Sequence, residues 1–254
     1  MAAKCVGCRD GKALPFAIRT AFQPVVDLKT GEPYAYEALV RGPNGESAAS
    51  VLAQVTEQNR YAFDQACRVA AIRDSVAAGI LDTGASLSIN FLPNAVYSPM
   101  ACIQLTLQTA RETGLPLDRI IFEFTENERI EPEHLGAIIH AYREIGFRTA
   151  IDDFGAGHAG LALLANLQTD IIKLDMELIR GIDTSPSRRI IVAGMLRVAR
   201  ELGLKVVAEG VESAAELGVV AAAGVRYVQG YLFARPALGQ LPPLSQSVAT
   251  ALAA

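Results

Sequence analysis

Short β-branched or aromatic runs alternate with longer stretches of helical period along most of the chain, and this alternation predicts βα units. The clearest strand runs cover 86–92, 119–125, 147–153, 171–175, 205–211 and 227–233. Two more, at about 18–28 and 33–41, open the pattern, with Thr30-Gly31 supplying turn chemistry between them. That gap is too short for a parallel crossover, so the first pair is expected to be antiparallel. Leu135, Ile138, Ile139 and Tyr142 follow i, i+3, i+4, i+7 spacing and predict one helix. Ile191, Met195, Val198 and Leu202 predict the buried stripe of another, with Ser185 as its N-cap and Pro186 at its first position. Gly114, Gly146, Gly203 and Gly224 each close a helical pattern just before a strand, where a left-handed terminator is usual.

Eight strands within residues 16–240, mostly separated by helices, predict an α/β fold: a TIM-like (β/α)8 barrel with an antiparallel first strand. The rival is a doubly wound open sheet. It needs a Gly-rich phosphate loop after the first strand, and the sequence has none. Residues 1–15 read as an N-terminal tail and 16–254 as the barrel, with the segment from Pro242 onward as a last helix fraying into an Ala-rich end.

Composition narrows the function. Of 254 residues, 51% are hydrophobic and 20% charged, which is globular composition. With 23 Lys plus Arg against 27 Asp plus Glu the net charge is −4, which argues against a nucleic-acid polymer as partner. A small anionic substrate stays open, because a bound metal can supply positive charge. No apolar run approaches the roughly 18 residues of a membrane span. Met1–Asp10 has no leader-like apolar stretch, and four cysteines are no disulfide framework, so a cytoplasmic setting is expected. Cys5-x-x-Cys8 is half of a zinc ribbon without a second pair. Cys67 and Cys102 lie in helical patterns and read as buried small hydrophobes.

Polar residues collect at strand ends, where a barrel keeps its chemistry. The second strand carries Glu37 and Arg41, the third Asn90, the fourth Glu123 followed by Glu126, and the fifth ends in Asp152-Asp153. The sixth carries Lys173 and Asp175, the seventh Glu209 followed by Glu212, and the eighth Gln229. In runs such as Ile120-Ile121-Phe122-Glu123-Phe124, alternation would bury the charge. An unpaired buried carboxylate costs several kcal/mol, so a partner is required. One lysine among many acids points to bound cations. Carboxylates and a carboxamide oxygen suit Mg²⁺ or Mn²⁺. If Asp152 or Asp153 bridges two ions, the arrangement is one used for phosphodiester hydrolysis.

Glu37-Ala38-Leu39-Val40-Arg41, Asp152-Asp153-Phe154-Gly155, Lys173-Leu174-Asp175, Ala208-Glu209-Gly210-Val211-Glu212 and Gln229-Gly230-Tyr231 stand in the order of the EAL-domain signatures. Phe22-Gln23-Pro24 is similar to that family's opening strand and Glu123-Phe124-Thr125-Glu126 to its fourth. The chain therefore resembles the EAL cyclic di-GMP phosphodiesterases over about residues 16–240. The resemblance implies metal-dependent hydrolysis of cyclic di-GMP to linear pGpG with two Mg²⁺ or Mn²⁺ ions, and inhibition by Ca²⁺. It implies Glu37, Asn90, Glu123 and Asp152 as ligands of one metal, and Asp152, Asp153 and Glu209 around the second. Lys173 would act on the attacking water, with Gln229 positioning the water or the metal shell. Arg41 would contact a phosphate, Gln23 a guanine, and Leu39 would pack under the substrate. Glu126 would anchor the loop after the fifth strand, and that loop would couple the site to a homodimer partner. The family commonly reads T-G-Y-S-S-L after the acidic pair, whereas this chain has Ala156-Gly157-His158-Ala159-Gly160-Leu161. That change spares every implied ligand and bears on loop stiffness.

Two rivals follow. A non-catalytic cyclic di-GMP sensor would be expected to lack a ligand or the lysine, and neither is lost. An unrelated metal-dependent aldolase barrel would be expected to carry phosphate-binding glycines after strands seven and eight, which are not evident. An upstream sensory domain, if this chain is part of a longer protein, would lie outside it.

Overall fold

Strand β1 (Arg19–Asp27) runs into β2 (Glu32–Arg41), then come helices α1 (Ala48–Leu52) and α2 (Arg60–Ala77). The chain continues through β3 (Ser86–Asn90), α3 (Pro99–Cys102), α4 (Gln104–Thr113), β4 (Ile120–Thr125), α5 (Pro132–Ile145) and β5 (Arg148–Phe154). Next are α6 (Gly160–Asn166), β6 (Ile171–Leu174), α7 (Met176–Ile179), α8 (Pro186–Glu201) and β7 (Lys205–Ala208), and α9 (Ala214–Ala222), β8 (Tyr227–Gln229) and β9 (Ala237–Leu238) complete the order. These elements come from a computed structural model that describes residues 14–125, 131–157 and 160–245.

Strands β2 to β8 pair in sequence order and in parallel, and β1 closes the ring by pairing antiparallel with both β2 and β8. The closed barrel with an antiparallel first strand is the architecture read from the sequence. Its wall is buried on both sides, so the strands are near-continuous apolar runs. Alternate residues sort into two layers. Val25, Ala35, Ile121, Ala150, Ile171 and Val207 fill the barrel, while Phe22, Leu87, Ile89, Phe122, Ile151 and Ile172 face the helices. At the foot, Tyr34 and Tyr227 stack at 4.3 Å, and Arg148 donates to the Tyr34 hydroxyl at 2.8 Å. These side chains plug the interior below.

Several boundaries differ from expectation. The third, seventh and eighth strands end at Asn90, Ala208 and Gln229, because the residues beyond them turn over the rim. The four terminal glycines all adopt left-handed backbone, Gly114 at φ 77° and Gly146 at 102° among them. Ser185 caps α8 through the Arg188 amide. The buried stripe of α8, however, is Val192, Met195 and Ala199, whereas Ile191 and Leu202 are 48% and 55% exposed. Three consecutive apolar residues, Ile190 to Val192, allow more than one helical phase, and contact with the barrel selects one of them. Cys102 is buried but Cys67 only half-buried. Residues 242–245 are not helical, and the remainder of the expected last helix lies outside the described residues, as do Cys5 and Cys8. Among the described residues no helix is long and apolar enough to cross a membrane.

Candidate active site

Inward-facing positions at the upper end of the barrel alternate with outward apolar ones, so the polar residues singled out in the sequence converge. At their centre is Lys173 of β6, fully buried. Its Nζ lies 2.8 Å from Glu209, 3.0 Å from Glu123, 3.0 Å from Asp152 and 3.3 Å from Glu37. Asn90 donates through Nδ2 to Glu37 Oε1 at 2.9 Å, which leaves its carbonyl oxygen for another partner. Gln229 donates to Glu37 Oε2 at 2.7 Å and to Gln23 Oε1 at 3.3 Å. The Ser88 hydroxyl donates to Glu123 Oε1.

The acidic pair needs a backbone device. Adjacent strand residues point to opposite faces, yet Asp152 and Asp153 serve the same cluster. The pairing of β5 with β6 is irregular between Ile151 and Phe154, and Asp153 has φ 53°. It is the only non-glycine with positive φ among the described residues. Such a conformation costs roughly 1–3 kcal/mol and persists where its surroundings enforce it. The outcome is two overlapping acidic groups that share Asp152. Glu37, Glu123 and Asp152 form one and Asp152, Asp153 and Glu209 the other, each with its ligand atoms within 4.8 Å of one another.

Four carboxylates face one ammonium, and a low-dielectric site does not tolerate that excess of negative charge. Burial, reinforced by the neighbouring Glu37 and Asp152 charges, pushes Glu123 up to about 8. Burial, and then the Asp152 charge, pushes Asp153 up to about 6. Burial also raises Asp152 and Glu209. Burial acts on Glu37 as well, but Lys173, Gln229 and Asn90 outweigh it and hold that carboxyl low. On Lys173 burial is outweighed by four carboxylates, which keep it protonated. Gln229 Oε1 is buried without a hydrogen-bond partner, and Asp152 Oδ1 has the shared Lys173 ammonium at 3.0 Å as its ion-pair partner. An oxygen-rich donor set with surplus negative charge and an unpartnered carboxamide oxygen fits divalent cations such as Mg²⁺ or Mn²⁺.

The pH dependence follows from these shifts. For a carboxyl whose folded pKa is raised, stability is fully present below its unfolded value near 4 and is lost as pH rises through the folded value. Without metal, melting temperature should therefore fall between about pH 4 and pH 8, the window set by Asp153 near 6 and Glu123 near 8. Mn²⁺ should restore more of it at pH 8 than at pH 5.5, with proton release visible in calorimetry across buffers of different ionisation enthalpy. An apo melting temperature that rises across this window would contradict the electrostatics.

The glycines of the signatures have steric reasons. A Cβ on Gly230 would sit 2.0 Å from the Val211 carbonyl oxygen, and one on Gly210 (φ 68°) would sit 2.4 Å from Met176 Cβ. Gly230→Ala should lower stability by at least about 2 kcal/mol in denaturant unfolding, since the clash is with backbone. Wild-type stability would show that the loop over β8 can yield.

Leu39 borders an apolar cavity of about 250 Å³ that runs from the rim down between the strands and α2, past Ala38, Phe63 and Cys67. Arg41 lies at the end of β2, with its guanidinium on the Val40 carbonyl. Gln23 is engaged by Gln229 and by the Ala234 carbonyl, 3.2 Å from its Nε2, so it braces the cluster as well as facing the mouth. Glu126 and His158 lie outside the described residues. Asp175 caps α7 through the Glu177 amide at 2.7 Å, close enough for its charge to add to the upward push on Asp153. Sequence reading passed over Glu216, which accepts from the Gly181, Glu212 and Ser213 amides and so ties the loop after Glu209 to the start of α9. Ser213-x-x-Glu216 is a capping-box pattern that could have revealed it.

The family model described as "EAL domain" matches residues 17–236. A standalone versatile EAL protein from Vibrio cholerae O395, solved with bound c-di-GMP, is 48% identical with a TM-score of 0.89, covering 93% of this chain and 99% of that one. Klebsiella pneumoniae BlrP1, in a manganese and cyclic di-GMP complex, is 35% identical with a TM-score of 0.82 over 90% of this chain and 58% of that one. The probable cyclic di-GMP phosphodiesterase PdeN of Escherichia coli K12 is 29% identical over 91% of this chain and 46% of PdeN. The chain spans between somewhat over a quarter and somewhat over half the length of the curated relatives it matches.

Proposed function

The chain belongs to the EAL domain family, and from that premise we propose that it hydrolyses cyclic di-GMP to linear pGpG with the aid of two divalent cations. The observation that carries this reading is the pair of acidic groups sharing Asp152 around a buried lysine. Glu37, Asn90, Glu123 and Asp152 would hold one ion, and Asp152, Asp153 and Glu209 the other. Bound Mg²⁺ or Mn²⁺ supplies Lewis-acid charge that acidifies water and offsets negative charge at the scissile phosphate. The protein side chains orient the reaction. Gln229 Oε1 accepts a hydrogen bond from the attacking water, and Lys173 directs its ammonium at the charge that develops during attack. Arg41 binds a phosphate oxygen at the rim, Leu39 supports the substrate from below, and Gln23 contacts a guanine. Glu126, outside the described residues, would anchor the loop after β5.

Calcium should support binding but not turnover. It prefers more ligands at 2.3–2.6 Å, against about 2.0–2.1 Å for magnesium, and it acidifies water less. BlrP1 has been solved with calcium and cyclic di-GMP together. The direct test is incubation with cyclic di-GMP and Mg²⁺ or Mn²⁺, followed by chromatography for pGpG. Tight binding in Ca²⁺ with no cleavage in Mg²⁺ or Mn²⁺ would make the protein a sensor instead.

We also infer a homodimer in a cytoplasmic setting, with any sensory input carried by a further domain. The dimer has a surface available in the exposed apolar stripe of α8 formed by Ile191, Val198 and Leu202. Ile191→Glu should shift sedimentation to monomer, whereas an unchanged mass would place the contact elsewhere.

A further inference from the structure

Behind the acidic cluster, on the helix side of the barrel wall, lies a second charged pair outside the chemistry described above. Arg68 of α2 has no exposed surface, and Asp64, one turn before it, is 2% exposed. Arg68 Nε lies 2.8 Å from Asp64 Oδ2. Three rings surround the guanidinium, with centroids 5.3 Å away for Phe91, 5.1 Å for Phe122 and 5.8 Å for Tyr142. The Tyr142 hydroxyl accepts from Arg68 at 2.8 Å. The other carboxylate oxygen of Asp64 accepts the Leu92 amide at 2.9 Å.

Stability alone gives little reason for such a pair. Burying both charges is costly, and well-packed apolar replacements are often neutral or stabilising. Its placement is more telling. Phe91 follows Asn90, and Phe122 precedes Glu123, so two of the three rings belong to neighbours of implied metal ligands. Asn90 stands opposite Glu123 in the β3–β4 register, and the Phe91 amide extends that ladder to the Glu123 carbonyl at 2.9 Å. Beyond this bond β3 has no further ladder partner, and the next amide, that of Leu92, goes to Asp64. Asp64 thus anchors the backbone two residues beyond Asn90, and Arg68 balances the buried Asp64 charge.

We propose that Asp64, whose buried charge Arg68 balances, is a positioning residue that sets the direction of the Asn90 carbonyl oxygen and thereby the affinity of the site for its divalent cation. The inference rests on the metal-site reading above. Asp64 transmits position through its acceptor oxygen, so the role separates into an acceptor that is needed and a charge that is not.

Two double variants test this, read by Mn²⁺ calorimetry without substrate and by thermal unfolding. Asp64→Asn with Arg68→Met removes both charges but keeps a carbonyl oxygen for the Leu92 amide, and it should bind Mn²⁺ within about threefold of wild type. Asp64→Ala with Arg68→Met removes the acceptor too and should weaken Mn²⁺ about tenfold, equivalent to about 1.4 kcal/mol. Wild-type Mn²⁺ affinity in the alanine variant, whatever its melting temperature, would overturn the proposal. Equal loss in both variants would overturn it as well. The unmutated protein provides a check that needs no variant to fold. Coupling is reciprocal, so saturating Mn²⁺ should slow hydrogen exchange at the Leu92 amide, and unchanged exchange there would refute the coupling. Absence of Mn²⁺ binding by the wild type would remove the metal-site reading itself, together with this inference.

Discussion

Lys173→Met should cut cyclic di-GMP turnover at least about a hundredfold while leaving Mn²⁺ binding intact or tighter, because loss of one electrostatic contact to the transition state typically costs roughly 10²–10³ in rate. The sign of the metal effect comes from counting charge. Among the described residues, Lys173 is the one cation contacting Glu37, Glu123, Asp152 and Glu209. Its removal makes the cluster more negative and eliminates a competitor for incoming cations. Its catalytic value lies elsewhere, in directing positive charge where attack on phosphorus creates negative charge. Stabilisation confined to the transition state lowers kcat when lost and spares ground-state binding. Methionine keeps the buried volume, so the wall of β6 should survive. The measurements are turnover in Mn²⁺, Mn²⁺ calorimetry, and cyclic di-GMP affinity in Ca²⁺. Wild-type turnover would dismiss the catalytic role. Parallel loss of metal affinity would make Lys173 part of the scaffold that holds the ions.

Asp152→Asn is expected to have the larger effect on metal. Asp152 belongs to both acidic groups, so neutralising it takes one carboxylate from each. Asp153→Asn takes one from the second group alone. Calorimetry should show both Mn²⁺ binding events weakened in the first variant and one in the second. Turnover of Asp152→Asn should fall on the order of 10³-fold or more, since Lewis-acid stabilisation contributes several kcal/mol and each 1.36 kcal/mol is tenfold. The apo fold should tolerate the change. Burial raises the Asp152 carboxyl, so its ionised form costs stability at high pH, and asparagine lacks that cost. At pH 8 the apo variant should therefore melt no lower than the wild type. Two binding events of wild-type affinity in Asp152→Asn would show that Asp152 bridges nothing.

What sequence alone determined follows from periodicity and local chemistry. Strand runs, the i, i+3, i+4, i+7 face of α5, the Ser185 cap and the glycine terminators are set by nearby residues, and the structure has them all. The antiparallel start was legible because Thr30-Gly31 leaves no room for a crossover. The polar residues of the site were legible because each interrupts an apolar run that would otherwise bury it. Tertiary structure decided what depends on distance between strands. Only barrel closure brings Lys173 of β6 within reach of Glu37, 136 positions earlier in the chain. Asp152 and Asp153 face one site through the left-handed turn at Asp153, which a strand pattern does not forecast. The buried side of α8 was decided by contact with the wall, since a run of three apolar residues fits more than one phase. The pairing of Asp64 with Arg68 could be read as helical spacing in α2, but its reach to Leu92 and to the rings beside Asn90 and Glu123 could not. Local sequence fixes which groups are polar and which face they occupy, whereas closure of the ring fixes which of those groups meet.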